Sequence, residues 1–279
     1  MDWLVDPLQY RFFWHGLLVA ILVGGLCGLL GVFIVLRKMS YIGHGLSHAV
    51  FGGAVASYLL NLNFYIGAGL WGLLSVLLID KLAARRDINA DAAIGIVTTA
   101  SFAVGVALMS RSGRFMQDFE AALFGNVLGV SQQELVTISI IVSIAGLTIL
   151  LFYKPLLFST FDEEVAQVCG VPTRKVRLLF SCILAIAVLA SVQVLGVTLI
   201  AAAIVIPATT SRLLTNNFAT MLLLATILGG ITAFLGMYLS YYLNIASGAS
   251  IVLFATALFT AVLCLQHLRS AALRRKTAR

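Results

Sequence analysis

The chain has 279 residues, of which 61% are hydrophobic and only 10% are charged, and its mean hydropathy is +1.05. Soluble domains are about 45–50% apolar and about 25% charged, so this composition excludes a water-soluble fold and predicts an all-α bundle of helices in the lipid bilayer. The formal net charge of +7 invites a nucleic-acid partner, but basic residues at the membrane surface are its commoner cause in so apolar a chain, and we expect no nucleic-acid partner.

Uncharged stretches mark the predicted crossings, because a spanning helix needs about 20 predominantly apolar residues. Asparagine-containing turns at 61–63 and 244–248 divide the two longest stretches. We therefore predict one crossing each in 12–36, 92–110 and 135–153, and two crossings each in 39–79 and 213–268.

Two further stretches have unusual lengths. Residues 178–211 are enough for either one long helix or two short ones, so the predicted total is eight or nine transmembrane helices. Residues 121–133 are too few to cross and predict an interfacial or re-entrant segment. Because the sequence shows neither an internal repeat nor a linker, we expect residues 1–279 to form a single integral membrane domain.

The basic residues predict the orientation of the helices. If Arg37 is cytoplasmic and the stretch 178–211 divides near residues 193–196, 15 of the 18 basic residues lie on the cytoplasmic side. Without that division, the basic residues fall equally on the two sides. Cytoplasmic loops carry an excess of Lys and Arg, so we predict nine spans, with the N-terminus outside and a basic tail, 269–279, in the cytoplasm.

Two histidines lie in one predicted span. His44 and His48 are separated by four residues, which places both imidazoles on one face of a helix, one turn apart. Counted from Arg37 at about 1.5 Å per residue, they lie about 10 and 16 Å into the bilayer. Ionisable groups at such depth usually face a pathway, and neutral imidazole binds zinc and other borderline divalent metals. The alternative is that both histidines only hydrogen-bond to hydroxyl groups on neighbouring helices.

Asp118 and Glu120 lie on the outer face in this topology. Carboxylates at the mouth of a pathway concentrate cations there. The alternative is an ordinary solvated loop.

A short amphipathic helix is predicted in the cytoplasmic segment at about 162–170. Asp162 and Glu163 form an acidic first turn, Val165 and Ala166 begin an apolar stripe, and Gly170 stops the helix. Such a capped helix in a polar loop indicates either a partner that binds it or a helix that rests on its own bundle.

Motifs for catalysis and for stable metal binding are missing from the sequence. It contains no GxxxxGK[ST] phosphate-binding loop, no HExxH and no GxSxG. Its four cysteines are widely spaced without a CxxC pair, which argues against a zinc cluster or a disulfide framework. We therefore expect a chain that is not an enzyme and does not itself hydrolyse ATP.

Several segments, in order along the chain, resemble the permease subunits of bacterial ABC importers for zinc, manganese and iron. The resemblance covers essentially the whole chain. The matching segments are 28–40 running into 43–53, 93–96, 123–126, 162–170, 195–197 with 206–208, and 247–248 with 251–253.

The resemblance implies an assembly in the bacterial inner membrane. Such permeases work as homodimers on two copies of a cytoplasmic ATP-binding subunit and receive their ion from an extracytoplasmic metal-binding protein. The helix at 162–170 matches the coupling element that docks on the ATPase subunit. His48 matches the family's intramembrane histidine, whereas His44 stands where the family commonly carries Asp.

The leading hypothesis is therefore an importer permease with no permanently bound cofactor. Replacing a carboxylate by imidazole at position 44 favours Zn²⁺ over the harder Mn²⁺, with manganese and iron left open. The runner-up is a secondary divalent-metal/proton transporter that uses His44 and His48, although proton-coupled carriers usually have carboxylates within their spans. A third reading is a structural membrane subunit whose histidines only pack.

Overall fold

The computed structural model describes residues 6–83, 85, 87–112, 123 and 125–277. Every regular element among them is helical, which confirms the predicted all-α class. Two 3-10 helices lie at Pro7–Gln9 and Val127–Gly129. The α-helices are α1 (Arg11–Leu36), α2 (Tyr41–Leu59), α3 (Phe64–Ala83), α4 (Ala90–Ser112), α5 (Gln132–Leu151), α6 (Tyr153–Phe161), α7 (Glu163–Val168), α8 (Thr173–Leu214), α9 (Phe218–Leu243) and α10 (Ser247–Thr277).

Eight helical segments are long and apolar enough to cross a membrane, namely α1, α3, α4, α5, two segments of α8, α9 and α10. Helix α2 is not one of them, because His44, His48 and four glycines lower its hydropathy. Its 19 residues nevertheless give a length of about 28 Å at about 1.5 Å per residue, close to the thickness of the hydrocarbon core. Because α2 packs against α3, α4 and α8, protein rather than lipid covers most of its surface.

Helix α8 reverses direction at Gly196, which has φ 73° and ψ 159°. Phe180 contacts the Phe33 ring near the end of α1, and a Cβ placed on Gly31 of α1 would lie 2.9 Å from the Ala208 methyl group. In a straight helix, Phe180 and Ala208 would be about 42 Å apart. The chain therefore runs up the bundle as α8a (173–195) and returns as α8b (197–214). Together with α2, this gives nine helical segments long enough to cross a membrane in the described chain, and the break at Gly196 lies at the predicted division near 193–196.

The segment predicted to be re-entrant packs against this reversal. Its described part contains the 3-10 helix Val127–Gly129 and does not cross the bundle. The Thr198 hydroxyl donates to the Leu123 carbonyl at 2.9 Å. Gly125 has φ 80°, and a Cβ there would lie 2.8 Å from the backbone nitrogen of Gly196. Glycine is required at this close approach, and the described part of the segment packs against the turn of α8.

The opposite end of the bundle, where α1 ends beside Arg37, is called the basic end. Helix α3 carries Lys81 in its last turn, and Arg177 in the first turns of α8 pairs with Asp80 of α3. Helix α10 does not stop before the predicted basic tail but continues to Thr277. The tail is rich in Ala, Leu, Arg and Lys, which are strong helix formers.

Candidate functional site

The imidazoles of His44 and His48 converge in the structure. Their Nε2 atoms lie 3.2 Å apart, and the ring centroids are 4.5 Å apart with the rings nearly perpendicular. Zn–N bonds are about 2.0–2.1 Å long, so an ion bound to two nitrogens 3.2 Å apart would see them at about 100°, close to a tetrahedral angle. The structure thus brings the two predicted ligands together in a geometry that fits one ion.

Close packing of α2 holds the histidine turn in place. A Cβ on Gly45 would lie 2.7 Å from the Ile94 side chain of α4, and one on Gly52 would overlap the carbonyl of Ser101. The fully buried Ser47 hydroxyl lies 2.8 Å from the His44 carbonyl of the same helix and 2.8 Å from the carbonyl of Val197, directly after the reversal in α8. The small residues beside the histidines therefore let α4 and α8b approach α2 closely.

An aromatic wall borders the histidine pair. The Phe102 ring of α4 lies 4.7 Å from the His48 ring, nearly perpendicular to it, and Tyr41 lies 5.7 Å from His44. The Nδ1 atom of His48 is buried and has no hydrogen-bond partner. Buried polar atoms are almost always paired in proteins. Leaving this atom unpaired therefore costs some stability at the histidine turn.

The pair does not form a complete metal cage by itself. Among the described residues, no group of three or more His, Cys, Asp or Glu side chains is placed to hold a metal ion. Structural zinc sites have four protein ligands, whereas sites that exchange ligands keep open positions. Two imidazoles with open positions suit an ion that must bind and leave again.

Two other predicted site residues, Asp118 and Glu120, lie outside the described residues. Their role at the outer mouth stays a prediction.

The predicted coupling helix is present as α7 and is shorter than 162–170. Asp162 caps its N-terminus, with its carboxylate accepting from the backbone N–H of Val165 at 2.9 Å, and Gly170 follows its end with φ 82°. Val165 is 51% exposed and Val168 is 89% exposed, whereas Ala166 is fully buried. The helix thus rests on its own bundle through Ala166 and presents its valines outward.

Polar contacts at the basic end escaped the sequence reasoning, which used these residues only to orient the helices. The Arg37 guanidinium donates to the hydroxyls of Ser159 and Thr160 at 3.0 Å each and lies 4.5 Å from the centre of the Phe180 ring. Burial lowers the pKa of Arg37 to about 10, so it stays charged at pH 7. A basic residue directly at the end of a span was the only signal in the sequence.

Comparison with known proteins places the geometry in context. The sequence profile described as the ABC 3 transport family matches residues 9–266. The chain is 42% identical over 253 residues to the manganese transport system membrane protein MntC of Halalkalibacterium halodurans, covering 90% of this chain and 86% of the relative. It is 34% identical over 259 residues to the "Probable iron transport system membrane protein" of Haemophilus influenzae, covering 93% and 92% of the two chains.

A solved structure shows the same architecture. A chain of PsaBC from Streptococcus pneumoniae, solved in complex with a Fab, superposes with a TM-score of 0.86 at 33% identity, and the match covers 94% of each chain. None of these three relatives is named as a secondary antiporter.

Proposed function

The chain belongs to the ABC 3 transport family, and we propose that it is the permease subunit of an importer that carries a divalent transition-metal ion past His44 and His48. The observation that carries this proposal is the convergence of the two Nε2 atoms at 3.2 Å inside a multi-pass membrane bundle. Neutral imidazoles in such an arrangement bind a borderline divalent cation without adding fixed charge to the membrane interior.

We propose zinc as the preferred cargo, with manganese and iron as the alternatives. Two imidazoles favour Zn²⁺ over Mn²⁺ because manganese prefers carboxylate and water oxygens. The names of two relatives favour the alternatives, since one is a manganese system protein and the other an iron system protein. We choose zinc because the donor atoms belong to this chain, whereas the names belong to its relatives.

We further propose that ATP hydrolysis takes place in a separate cytoplasmic subunit, present in two copies. The exposed valines of α7, Val165 and Val168, supply an apolar docking surface beside the acidic residues Asp162 and Glu163. A second copy of the chain supplies the other half of the pathway, and an extracytoplasmic metal-binding protein delivers the ion at the far end.

The orientation follows the charge distribution. We propose that the basic end faces the cytoplasm across the bacterial inner membrane, because basic residues accumulate on that side. Nine crossings then place the N-terminus outside and the end of α10 inside. Residues 1–279 act as one permease unit in this arrangement.

In the proposed mechanism, the histidines receive the ion and release it. An ion entering near the Gly196 reversal exchanges water for the Nε2 atoms of His44 and His48, while the Phe102 ring keeps that side of the pair apolar. This chain contributes only two ligands to the ion, so the ion leaves when the permease opens towards the basic end.

The test reconstitutes the permease with its ATPase subunit and binding protein in proteoliposomes. We expect ATP-dependent uptake of Zn²⁺, with weaker uptake of Mn²⁺ and Fe²⁺, and loss of uptake in His44→Ala/His48→Ala. His15→Ala in α1 is the matched control and should transport normally. Unchanged uptake in the double variant would refute the site, and uptake by the permease without ATPase would support the secondary transporter instead.

A further inference from the structure

One guanidinium at the basic end joins three helices. Arg177 of α8a donates from Nε to Asp80 Oδ1 of α3 at 3.2 Å, and from Nη1 to Glu163 Oε1 of α7 at 3.2 Å. A guanidinium is a rigid planar fork, so it fixes the direction of both carboxylates relative to α8. Arg177 therefore links α3, α7 and α8a through one side chain.

These charged groups border the start of the histidine helix. A cavity of about 290 Å³ is lined by Asp80, Glu163 and Arg177 together with Ile42 of α2 and Ile94 of α4. Ile42 lies two residues before His44, and Ile94 is the side chain against which Gly45 packs. The ion-pair network and the residues beside the histidine turn thus line the same cavity.

A second set of hydrogen bonds connects the segment that leads into α7 to the end of α1. Ser159 and Thr160, in the last turn of α6, accept hydrogen bonds from Arg37. Arg37 follows α1 directly, and only Lys38, Met39 and Ser40 separate it from α2. The α6–α7 segment is consequently attached on both sides of α2 along the chain, by Arg37 to the α1–α2 connection and by Arg177 to α3.

We infer that Arg177 is the positioning residue through which displacement of α7 reaches the histidine-bearing helix α2. This inference rests on the proposed function, because it takes α7 as the element that the ATPase subunit moves. The network is a poor candidate for a purely stabilising role: the Arg177 side chain is 42% exposed and that of Glu163 is 49% exposed. Ion pairs with such exposure contribute little to stability, so Arg177→Gln should fold and assemble.

The first measurement follows α2 without using the cargo. Hydrogen–deuterium exchange of residues 41–59 is compared in the permease–ATPase complex with and without a non-hydrolysable ATP analogue. We expect ATP binding to change exchange in α2 of the wild-type complex, and we expect Arg177→Gln to remove this change while the complex still co-purifies. Arg177→Lys keeps the charge but not the fork, so its response should lie between the two.

The second measurement is the number of metal ions taken up per ATP hydrolysed. Allosteric coupling energies correspond to about 5–150-fold effects, so we expect Arg177→Gln to lower this ratio by about fivefold or more while ATP hydrolysis persists. Glu163→Gln should act like Arg177→Gln, and the double variant should be no worse than either. Arg174→Gln is the matched control, since Arg174 is exposed on the same helix and forms no ion pair with any described residue.

The outcomes separate the two proposals. An ATP-induced change in α2 that survives Arg177→Gln, or failure of this variant to bind the ATPase subunit, would overturn the inference. A wild-type complex that takes up none of the three metals, yet shows the Arg177-dependent change in α2, would refute the proposed cargo and leave the inference standing.

Discussion

The two polar regions of the bundle, the basic end and the histidine pair, differ in whether their polar groups have partners. At the basic end, both carboxylates of the network meet Arg177 at 3.2 Å. At the histidine pair no described carboxylate forms an ion pair with either imidazole, Nδ1 of His48 has no partner, and the two Nε2 atoms lie within hydrogen-bonding distance of each other beside an aromatic ring. One region has its polar groups paired within the chain, and the other leaves polar capacity unused.

The difference separates a mechanical role from a binding role. Groups that connect helices work best when their partners are always present, and the planar fork of Arg177 holds both carboxylates at once. Groups that receive an ion must keep donor atoms available, which sacrifices some stability of the empty protein. Substitutions in the two regions should therefore separate transport from stability.

The largest effect is expected for His48→Ala. It removes one of the two converging nitrogens, and even outer-shell partners of metal ligands contribute about 10–100-fold to affinity, so uptake should fall by more than about 100-fold. The melting temperature of the detergent-solubilised complex should fall only slightly, because the loss of the unpartnered Nδ1 atom offsets the loss of the ring's contacts with His44 and Phe102. Uptake assays and thermal unfolding of the same preparation check both statements. A lower melting temperature with normal uptake would assign His48 to packing alone.

The next effect concerns selectivity. His44→Asp exchanges an imidazole for a carboxylate, which hard cations prefer, so the ratio of Mn²⁺ to Zn²⁺ uptake should rise about tenfold. Competition between the two ions in proteoliposomes measures this ratio. His44→Asn is the control, because Asn has the size of Asp without its charge. This variant should not raise the ratio of Mn²⁺ to Zn²⁺ uptake. An unchanged ratio in His44→Asp would show that position 44 does not select the metal.

Asp80→Ala tests the ion-pair network at the basic end. Its side chain is 15% exposed, so the loss should lie near the upper end of the range for exposed pairs, about 1 kcal/mol in free energy of unfolding. Denaturation of the purified complex measures this loss, with Asp87→Ala in the exposed α3–α4 connection as the control. Metal binding to the histidine pair, measured by calorimetry, should be retained. If metal binding disappears instead, the two regions are not separate.

Much of this arrangement was predictable from sequence, because membrane crossings and an i, i+4 pair are local patterns. The uncharged stretches located the crossings, and the charge balance located the reversal at Gly196. The i, i+4 spacing placed His44 and His48 on one face. Their mutual Nε2 distance depends on rotamers that only the surrounding helices determine.

The ion-pair network could not be predicted in the same way. Arg177 lies 97 residues from Asp80 and 14 residues from Glu163 along the chain, and nothing in a sequence pattern specifies such pairings. They arise only once α3, α7 and α8a have packed at the basic end. The burial of Ala166 in α7 also depends on this packing. The apolar stripe of the helix did not reveal which of its residues face the bundle.

The last prediction concerns Ser47→Ala, at the point where the histidine turn meets the reversal of α8. The substitution removes the hydrogen bond to the Val197 carbonyl, at 2.8 Å, which should lower stability by about 0.5–1.5 kcal/mol. Uptake should fall only a few-fold, since both imidazoles remain. Ser57→Ala is the control, because its hydroxyl donates within α2, to the Gly53 carbonyl at 2.7 Å. A loss of uptake as large as that in His48→Ala would instead place the Ser47 hydroxyl among the ligands of the passing ion.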